Sequence, residues 1–245
     1  MSFQSTVRAN QASGVPGEIA FDGPKRALPA ILNSADAAYN IIGATAFTYS
    51  TEVAATGGGV PLARVVAGGL GVFAGILANP KVYASGGTNA GGTLAPTMTL
   101  PNGTEAELVQ MGEMWVTVPG AANVGDPVQY NTTTGVLSTV PKTVSGTGSI
   151  TTTVLTVSAV DAGSGKFAVD QVLVGPNIVP GTRIVSLGTG TGGTGTYNVS
   201  VSQTAASAAV SANPKADSGN AFVPNTEISR RTVAGAGLAC IKLTN

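Results

Sequence analysis

The stretch GDPVQYNTTTGVLS, residues 125–138, is typical of a strand, a tight turn and a second strand. The turn is predicted at NTTTG because Asn and Gly tolerate the backbone conformations that turns require. Comparable strand patterns recur on both sides of it, at 39–43, 46–53, 64–67, 107–111, 113–118, 150–157 and 196–202. Short strands at a spacing of about 8–12 residues, with turn residues between them, predict an all-β protein with a β-sandwich or barrel-like parent domain.

The composition favours a protein that spends its life in contact with partners. Charged residues make up 10% of the chain, the formal net charge is zero and glycine accounts for 34 of 245 residues. A freely dispersed monomer normally carries a net charge away from zero. The balance also argues against nucleic acid, whose phosphates are bound by clustered Lys and Arg. The basic pairs Lys25-Arg26 and Arg230-Arg231 are predicted to be solvated or salt-bridged.

The residue inventory removes most catalytic chemistry. The chain has no histidine and a single cysteine, Cys240, which excludes Ser-His-Asp and Cys-His machinery and zinc sites built on His and Cys. Three carboxylates, Glu105, Glu107 and Glu113, lie near one another in sequence, but a glycosidase needs two carboxylates across a sugar cleft. The sequence therefore predicts no catalytic residue, no cofactor and no metal site.

Two further motifs have ordinary structural interpretations. The glycine run at 188–195 matches GxGxxG, but a strand pattern follows it where a dinucleotide-binding loop needs a helix. A hairpin is predicted there instead. The longest apolar stretch, 65–78, is too short to span a membrane and is predicted to be two buried strands broken by glycine. The start of the chain lacks the pattern of a signal peptide.

The amino-acid composition changes three times along the chain. Prolines and glycines deny residues 1–30 a helix, so an extended N-terminal arm is predicted, either adding a strand to a neighbour's sheet or lying as an irregular loop on its own domain. Residues 143–213 carry few charges and are dominated by Thr, Ser, Gly and Val. They are predicted to form a small β-domain, the inserted module, within a β-rich domain of residues 31–142 plus 214–245.

Three segments carry a family resemblance. The opening FQSTVRANQASGVPGEIAFDGP, the middle GDPVQYNTTTGVLS and the closing NTEISRRTVAGAGLACIKLTN resemble the capsid cement, or decoration, proteins of tailed bacteriophages. The resemblance covers roughly residues 1–140 and 214–245. Separately, residues 151–204 resemble a small β-module that recurs in phage virion proteins, marked by PGT at 180–182 and by the glycine run.

The resemblance implies a role and a location. It places the chain on the outer surface of a phage head, made in the bacterial host cytoplasm, where it binds major capsid protein subunits at their junctions and holds the shell against the pressure of packed DNA. It implies a homo-oligomer, for which we expect a trimer in preference to a dimer. The charge balance and the short apolar stretch predict no nucleic-acid or membrane partner. The residues expected at the protein interface are those of the arm: Phe3, Val7, Arg8, Ile19 and Phe21.

Two alternatives remain open from the sequence. One is a tail-fibre, spike or adhesion protein whose inserted module binds host glycans, for which the module offers only two aromatic residues, Phe167 and Tyr197. The other is an enzyme such as a polysaccharide depolymerase, in which the three glutamates would supply the carboxylates.

Overall fold

A computed structural model describes residues 14–21, 23–53, 62–79, 99–231 and 237–244. The strands within these ranges are β1 (Arg26–Leu32), β2 (Ala46–Val53), β3 (Leu62–Ala67), β4 (Phe73–Leu77), β5 (Glu105–Val118), β6 (Pro127–Asn131), β7 (Leu137–Thr139), β8 (Val144–Val160), β9 (Leu173–Val174), β10 (Ile184–Leu187), β11 (Gly195–Ala212), β12 (Asn220–Arg231) and β13 (Gly237–Thr244). The described ranges contain no α-helix, only one 3-10 turn at Ala37–Tyr39. The predicted all-β class is confirmed.

The first five strands close into a barrel. Their order is β1-β3-β2-β4-β5, and β5 pairs back onto β1, which completes the ring. The β1–β3 pair is parallel and the other four pairs are antiparallel. Apolar side chains fill the interior, among them Leu32, Phe47, Val65, Leu77 and Leu108. Closure leaves these five strands without an unpaired edge in the ring.

Strand β5 continues out of the barrel and starts a second layer. It bends at Gly112, where φ is +125°, and its second half pairs with β13, followed in order by β12, β6 and β7. The layer then returns to the barrel, because Val136 forms an antiparallel bridge with Thr45 just before β2. A second apolar core fills the space enclosed, built on side chains such as Ile76, Met114, Val128, Leu137 and Ile241.

A buried polar cluster closes one end of the barrel core. The Asn40 side chain is fully buried and donates to the carbonyl oxygen of Leu100 and to Oδ1 of Asn102, both at 2.9 Å. Ser34 Oγ donates to Asn40 Oδ1 at 2.6 Å, and the Ala67 amide donates to Ser34 Oγ. Since every polar atom here finds a partner, the cluster stabilises the turns that join the strands.

Strands β8 to β11 form a separate sheet with its own core. The long strands β8 and β11 pair along their length, and β9 and β10 pair with β11. β9 and β10 also meet through a bridge from Val172 to Arg183. The two ends of β8 come together, since the Asp161 amide donates to the Ser145 carbonyl at 3.1 Å. The result is a small barrel around an independent apolar core that includes Leu155, Phe167 and Tyr197.

Both connections to this sheet are anchored on the parent strands. The incoming Lys142 amide donates to Asp126 Oδ1 at 3.0 Å. On the outgoing side, Gln129 and Asp217 exchange two hydrogen bonds of 2.8 and 2.9 Å. The first and last residues of the two long strands, Val144 and Ala212, are register partners. The chain therefore leaves and re-enters the parent domain at nearly the same point.

The observed elements differ from the predicted ones in three places. A strand was predicted at 39–43, but this stretch holds a 3-10 turn and tight turns. The two strands predicted within 107–118 are one strand with a bend. Strand β12 was not predicted. The predicted hairpin at the glycine run is confirmed, because β10 and β11 pair on either side of it.

Candidate capsid-binding surface

The described part of the N-terminal arm, residues 14–21, is called the arm root here, and it lies along the edge of β5. The Gly17 amide donates to the Trp115 carbonyl at 2.7 Å, and the Trp115 amide donates to the backbone carbonyl of Glu18 at 2.8 Å. The Ala20 amide donates to the Glu113 carbonyl at 2.8 Å. The arm root thus extends the sheet of its own chain by a short antiparallel strand.

A neighbouring turn holds the arm root from its other side. The Asn79 amide donates to the Gly17 carbonyl at 2.8 Å. Gly43 lies against Pro16 and Gly17 with a φ of +66°, and a Cβ added there would lie 2.8 Å from Pro16 Cα and closer still to the Gly17 nitrogen. Only glycine fits at Gly43, because both its backbone conformation and its surroundings exclude a side chain. The close contacts with Gly43 and Asn79 therefore fix the position of the arm root.

The far end of the arm root is held by a side-chain cluster on the second layer. The Arg230 guanidinium carbon lies 3.9 Å from the centroid of the Phe21 ring, a cation–π contact. Arg230 Nη2 also lies 4.0 Å from Glu113 Oε2. The same carboxylate oxygen accepts from Ser229 Oγ at 3.5 Å and from Cys240 Sγ at 3.7 Å. Arg230 is salt-bridged, as its sequence context predicted.

The predicted interface residues fall into two groups. Phe3, Val7 and Arg8 lie outside the described residues. Ile19 forms an isolated bridge with Met114 and packs against the second core, whereas the Phe21 side chain remains 44% exposed. Phe21 is thus available to a partner at one face of its ring, and Ile19 contributes chiefly to holding the arm root in place.

The three glutamates do not share a cleft. Glu105 and Glu107 are exposed on the barrel half of β5, opposite Ile31 and Pro29 of β1. Glu113 lies beyond the bend at Gly112, in the cluster with Arg230. Six residues of strand separate Glu107 from Glu113, roughly 20 Å of extended chain. Glu105 and Glu107 are about 7 Å apart along one face of the strand, but both are exposed on a single strand and do not face each other across a sugar cleft, which is the arrangement that glycosidases use.

The aromatic residues of the inserted module are interior. Phe167 and Tyr197 are 1% and 0% exposed, and their ring centroids lie 5.8 Å apart. The Tyr197 hydroxyl donates to the Gly193 carbonyl at 2.6 Å and accepts from the Gly192 amide at 3.0 Å. The glycine run therefore folds over this ring. Neither aromatic side chain is placed to stack on a sugar, which removes the feature that a glycan-binding module would need.

An exposed apolar tip belongs to the five-stranded barrel. Residues 68–72, GGLGV, join β3 to β4 and are called the β3–β4 tip here. Leu70 is 86% exposed and Val72 is 74% exposed. Sequence reasoning missed both, because an apolar run between glycines is more often part of a strand interior. Their exposure is decided by tertiary contacts, which the sequence pattern does not carry.

Within the described ranges, no group of three or more His, Cys, Asp or Glu residues is arranged to hold a metal ion. None of the helical segments described is long and apolar enough to pass through a bilayer.

These features define a β-barrel protein with exposed apolar side chains at Phe21 and at the β3–β4 tip. Comparison with known families agrees with them: the sequence profile of the phage structural cement proteins (E217 gp24/Pam3 gp6) matches residues 3–174. This match covers more than half of the chain, so the protein belongs to the phage structural cement family. The family role is structural and is exercised on the phage capsid shell. No curated protein matches the chain.

The extent of the profile match differs from the resemblance noted in the sequence. It runs into β9 of the inserted module and ends at residue 174. The resemblance to cement proteins at 214–245 is not part of it, although β12 and β13 from that segment complete the second layer.

Proposed function

We propose that this chain is a clamp on the outer surface of the phage head, bound to major capsid protein subunits along the lines where they meet. The clamp stabilises the shell by joining neighbouring subunits. The observation that supports it most directly is the seat of the arm root on β5. Residues 14–21 are fixed by hydrogen bonds on both sides, and Gly14 lies against the Trp115 ring, so the arm root has a defined position beside Trp115.

The proposed contact combines this arm with the folded domain. Phe3, Val7 and Arg8 would contact one capsid subunit, while Phe21 and the nearby surface contact the next. Each contact is small, but binding at one makes the second effectively intramolecular, so the affinities multiply.

The low charge of the chain sets the character of this binding. With 10% charged residues and a net charge of zero, association depends on apolar and backbone contacts more than on electrostatic steering. Binding to heads should then change less than roughly threefold between low and high salt, since screening acts on charged contacts. A steep salt dependence would contradict this mode of binding.

The chain acts as a homo-oligomer in this proposal, with a trimer at local threefold axes preferred and a dimer at twofold axes next. An oligomer would present several arms to the shell, which raises the avidity of each contact. The inserted module points away from the shell, because outward placement leaves the clamp surface unobstructed. A cryo-EM map of decorated heads reads out symmetry, module direction and capsid contacts together.

The direct test uses undecorated heads of the phage that encodes this chain. The full chain should bind them and raise the temperature at which they rupture. A chain lacking residues 1–13 should fold with unchanged stability and fail to bind at normal occupancy. A chain lacking residues 1–21 should also lose stability, because it uncovers the β5 edge at Trp115.

Two results would count against the proposal. If the chain lacking residues 1–13 decorates heads at full occupancy, the arm is not an interface element. If the full chain shows no binding to heads at all, the capsid clamp itself is wrong.

A further inference from the structure

The β3–β4 tip carries the two most exposed large apolar side chains in the described part of the molecule. Leu70 and Val72 are 86% and 74% exposed, and the next highest value is 63%, at Val174. Tyr49, 36% exposed, lies beside them, since its amide donates to the Val72 carbonyl at 3.0 Å. A contiguous exposed apolar group on a soluble domain commonly marks a site of protein contact.

The tip is held rigidly from beneath. The Gly69 amide donates to the Thr132 carbonyl at 2.7 Å, and the Tyr130 hydroxyl donates to the Gly69 carbonyl at 3.2 Å. Thr48 Oγ1 donates to the Gly68 carbonyl at 2.6 Å. Gly69 has a φ of +85°, and a side chain there would collide with the Thr48 hydroxyl.

This rigidity matters for binding. A loop already fixed in its bound shape gives up little conformational entropy when a partner covers it. Leu70 and Val72 are therefore presented as preformed anchors.

The surroundings of the tip specify the chemistry of its partner. Residues 65–73 contain no charged residue, and neither do the two stretches that pack beneath the tip, 46–51 and 131–136. The partner surface should therefore be a charge-free apolar depression, because a charged group buried under Leu70 without a partner would be strongly unfavourable.

Three well-formed grooves on the described surface offer no such depression to a second copy of this chain. These grooves have volumes of about 770, 320 and 410 Å³. All are lined by charged side chains: Lys166, Lys215 and Asp217 in the first, Glu227 and Lys242 in the second, and Lys25, Arg26 and Glu107 in the third.

We propose that the β3–β4 tip inserts Leu70 and Val72 into an apolar depression on a capsid shell subunit, as a second anchor separate from the N-terminal arm. This inference rests on the proposed capsid-clamp function. The two anchors lie on different parts of the fold, the arm root on the edge of β5 and the tip between β3 and β4. A clamp with two anchors can contact two subunits at once.

The test measures binding of purified full-length chain to undecorated heads by cosedimentation. Leu70→Ser and Val72→Ser should each weaken binding roughly tenfold or more, because each removes an apolar anchor from the interface. Leu70→Met should retain binding, since it keeps apolar bulk. The matched control is Val174→Ser, which changes a similarly exposed valine on the inserted module and should leave binding unchanged.

The outcomes separate this inference from the proposed function. If the unmodified chain does not bind heads, the capsid clamp fails. If it binds and both tip variants bind equally well, the clamp stands and the tip inference is overturned. If the tip variants bind heads normally but sediment as smaller oligomers, the occupant is a second copy, which also overturns the inference. Urea midpoints equal to that of the unmodified chain establish that the tip variants are folded.

Discussion

The guanidinium carbon of Arg230 lies 3.9 Å from the centroid of the Phe21 ring, which joins the end of the arm root to strand β12. We expect Phe21→Ala to lower the free energy of unfolding by about 0.5–1 kcal/mol, the range of an exposed cation–π contact. The amides of Gly17, Ala20 and Trp115 should then exchange hydrogen faster, because their strand pairing loses its end anchor. Phe222→Ala, at a similarly half-exposed phenylalanine elsewhere on β12, should leave those three amides unchanged. Equal exchange in both variants would contradict the anchor.

The seat of the arm root depends on the absence of a side chain at Gly43. Gly43→Ala should destabilise the protein by about 2 kcal/mol more than Gly103→Ala, because overpacking adds to the cost of the backbone conformation. The pair is matched, since both glycines have positive φ and only Gly43 has neighbours within reach of an added Cβ. Chemical denaturation of the two variants measures the difference. Similar losses would show that the arm root can move aside without cost.

The polar cluster at the barrel end should be sensitive to loss of its central amide. Asn40→Ala leaves the Ser34 hydroxyl and the Leu100 carbonyl without their observed partner, and we expect a loss of about 2–4 kcal/mol. Asn33→Ala removes an exposed amide a few residues away and should change stability by less than about 0.5 kcal/mol. Thermal unfolding of both variants, followed by circular dichroism, distinguishes these values.

Stability should fall at alkaline pH and nowhere near neutrality. Burial raises the pKa of the Cys240 thiol above its ordinary 9.0, and the pKa of the Tyr130 and Tyr197 hydroxyls above their ordinary 10.0. A group whose pKa is higher in the folded chain binds its proton more tightly there. Its contribution is complete below the pKa of the unfolded chain and is lost as the pH rises through the folded value.

The expected profile is a plateau between about pH 6 and pH 8, because the chain contains no histidine, and a decline above about pH 9. Cys240→Ala should delay the onset of that decline, since the thiol is the first of the three groups to ionise in the unfolded chain. Urea unfolding at a series of pH values measures it. A decline already present at pH 7 would indicate a different titrating group.

The inserted module should be removable without loss of the parent fold. Val144 and Ala212 are antiparallel partners, so their Cα atoms are roughly 5 Å apart and a two-residue turn can join them. Replacing residues 144–212 with such a turn should leave a soluble chain that still binds heads. Aggregation or loss of head binding would show that the module supports the clamp directly. The intact chain with Leu155→Ala, which weakens only the module core, serves as the comparison.

The local elements of this fold were largely predictable from residue patterns. Strand β2, the turn between β6 and β7 and the hairpin across the glycine run carry β-branched residues bounded by turn residues, and such signals lie within a few positions of one another. The 3-10 turn at Ala37–Tyr39 was missed because Tyr-Asn-Ile-Ile has strand propensity, whereas the buried Asn40 amide fixes a turn there. Strand β12 was missed because Pro224 and several charged residues interrupt its apolar alternation.

The longer-range arrangement was beyond the sequence. The pairing of β1 with β5 that closes the barrel joins residues such as Leu28 and Leu108, about 80 positions apart, and no local pattern encodes it. The same holds for the surface. The residue sequence GGLGV does not distinguish a buried bend from an exposed tip. The contact between Arg230 and Phe21 could be identified only once β12 and the arm root were located.

The shared entry and exit point of the inserted module has a practical consequence for the head. The inserted module is joined to the parent domain through two adjacent chain ends. It can therefore be exchanged for another compact domain whose ends also lie side by side. Under the proposed clamp function, a foreign enzyme or antigen grafted between residues 143 and 213 would be displayed once for each copy of the chain bound to the head. The adjacent chain ends at residues 143 and 213 therefore form an insertion point for a compact domain other than the present barrel.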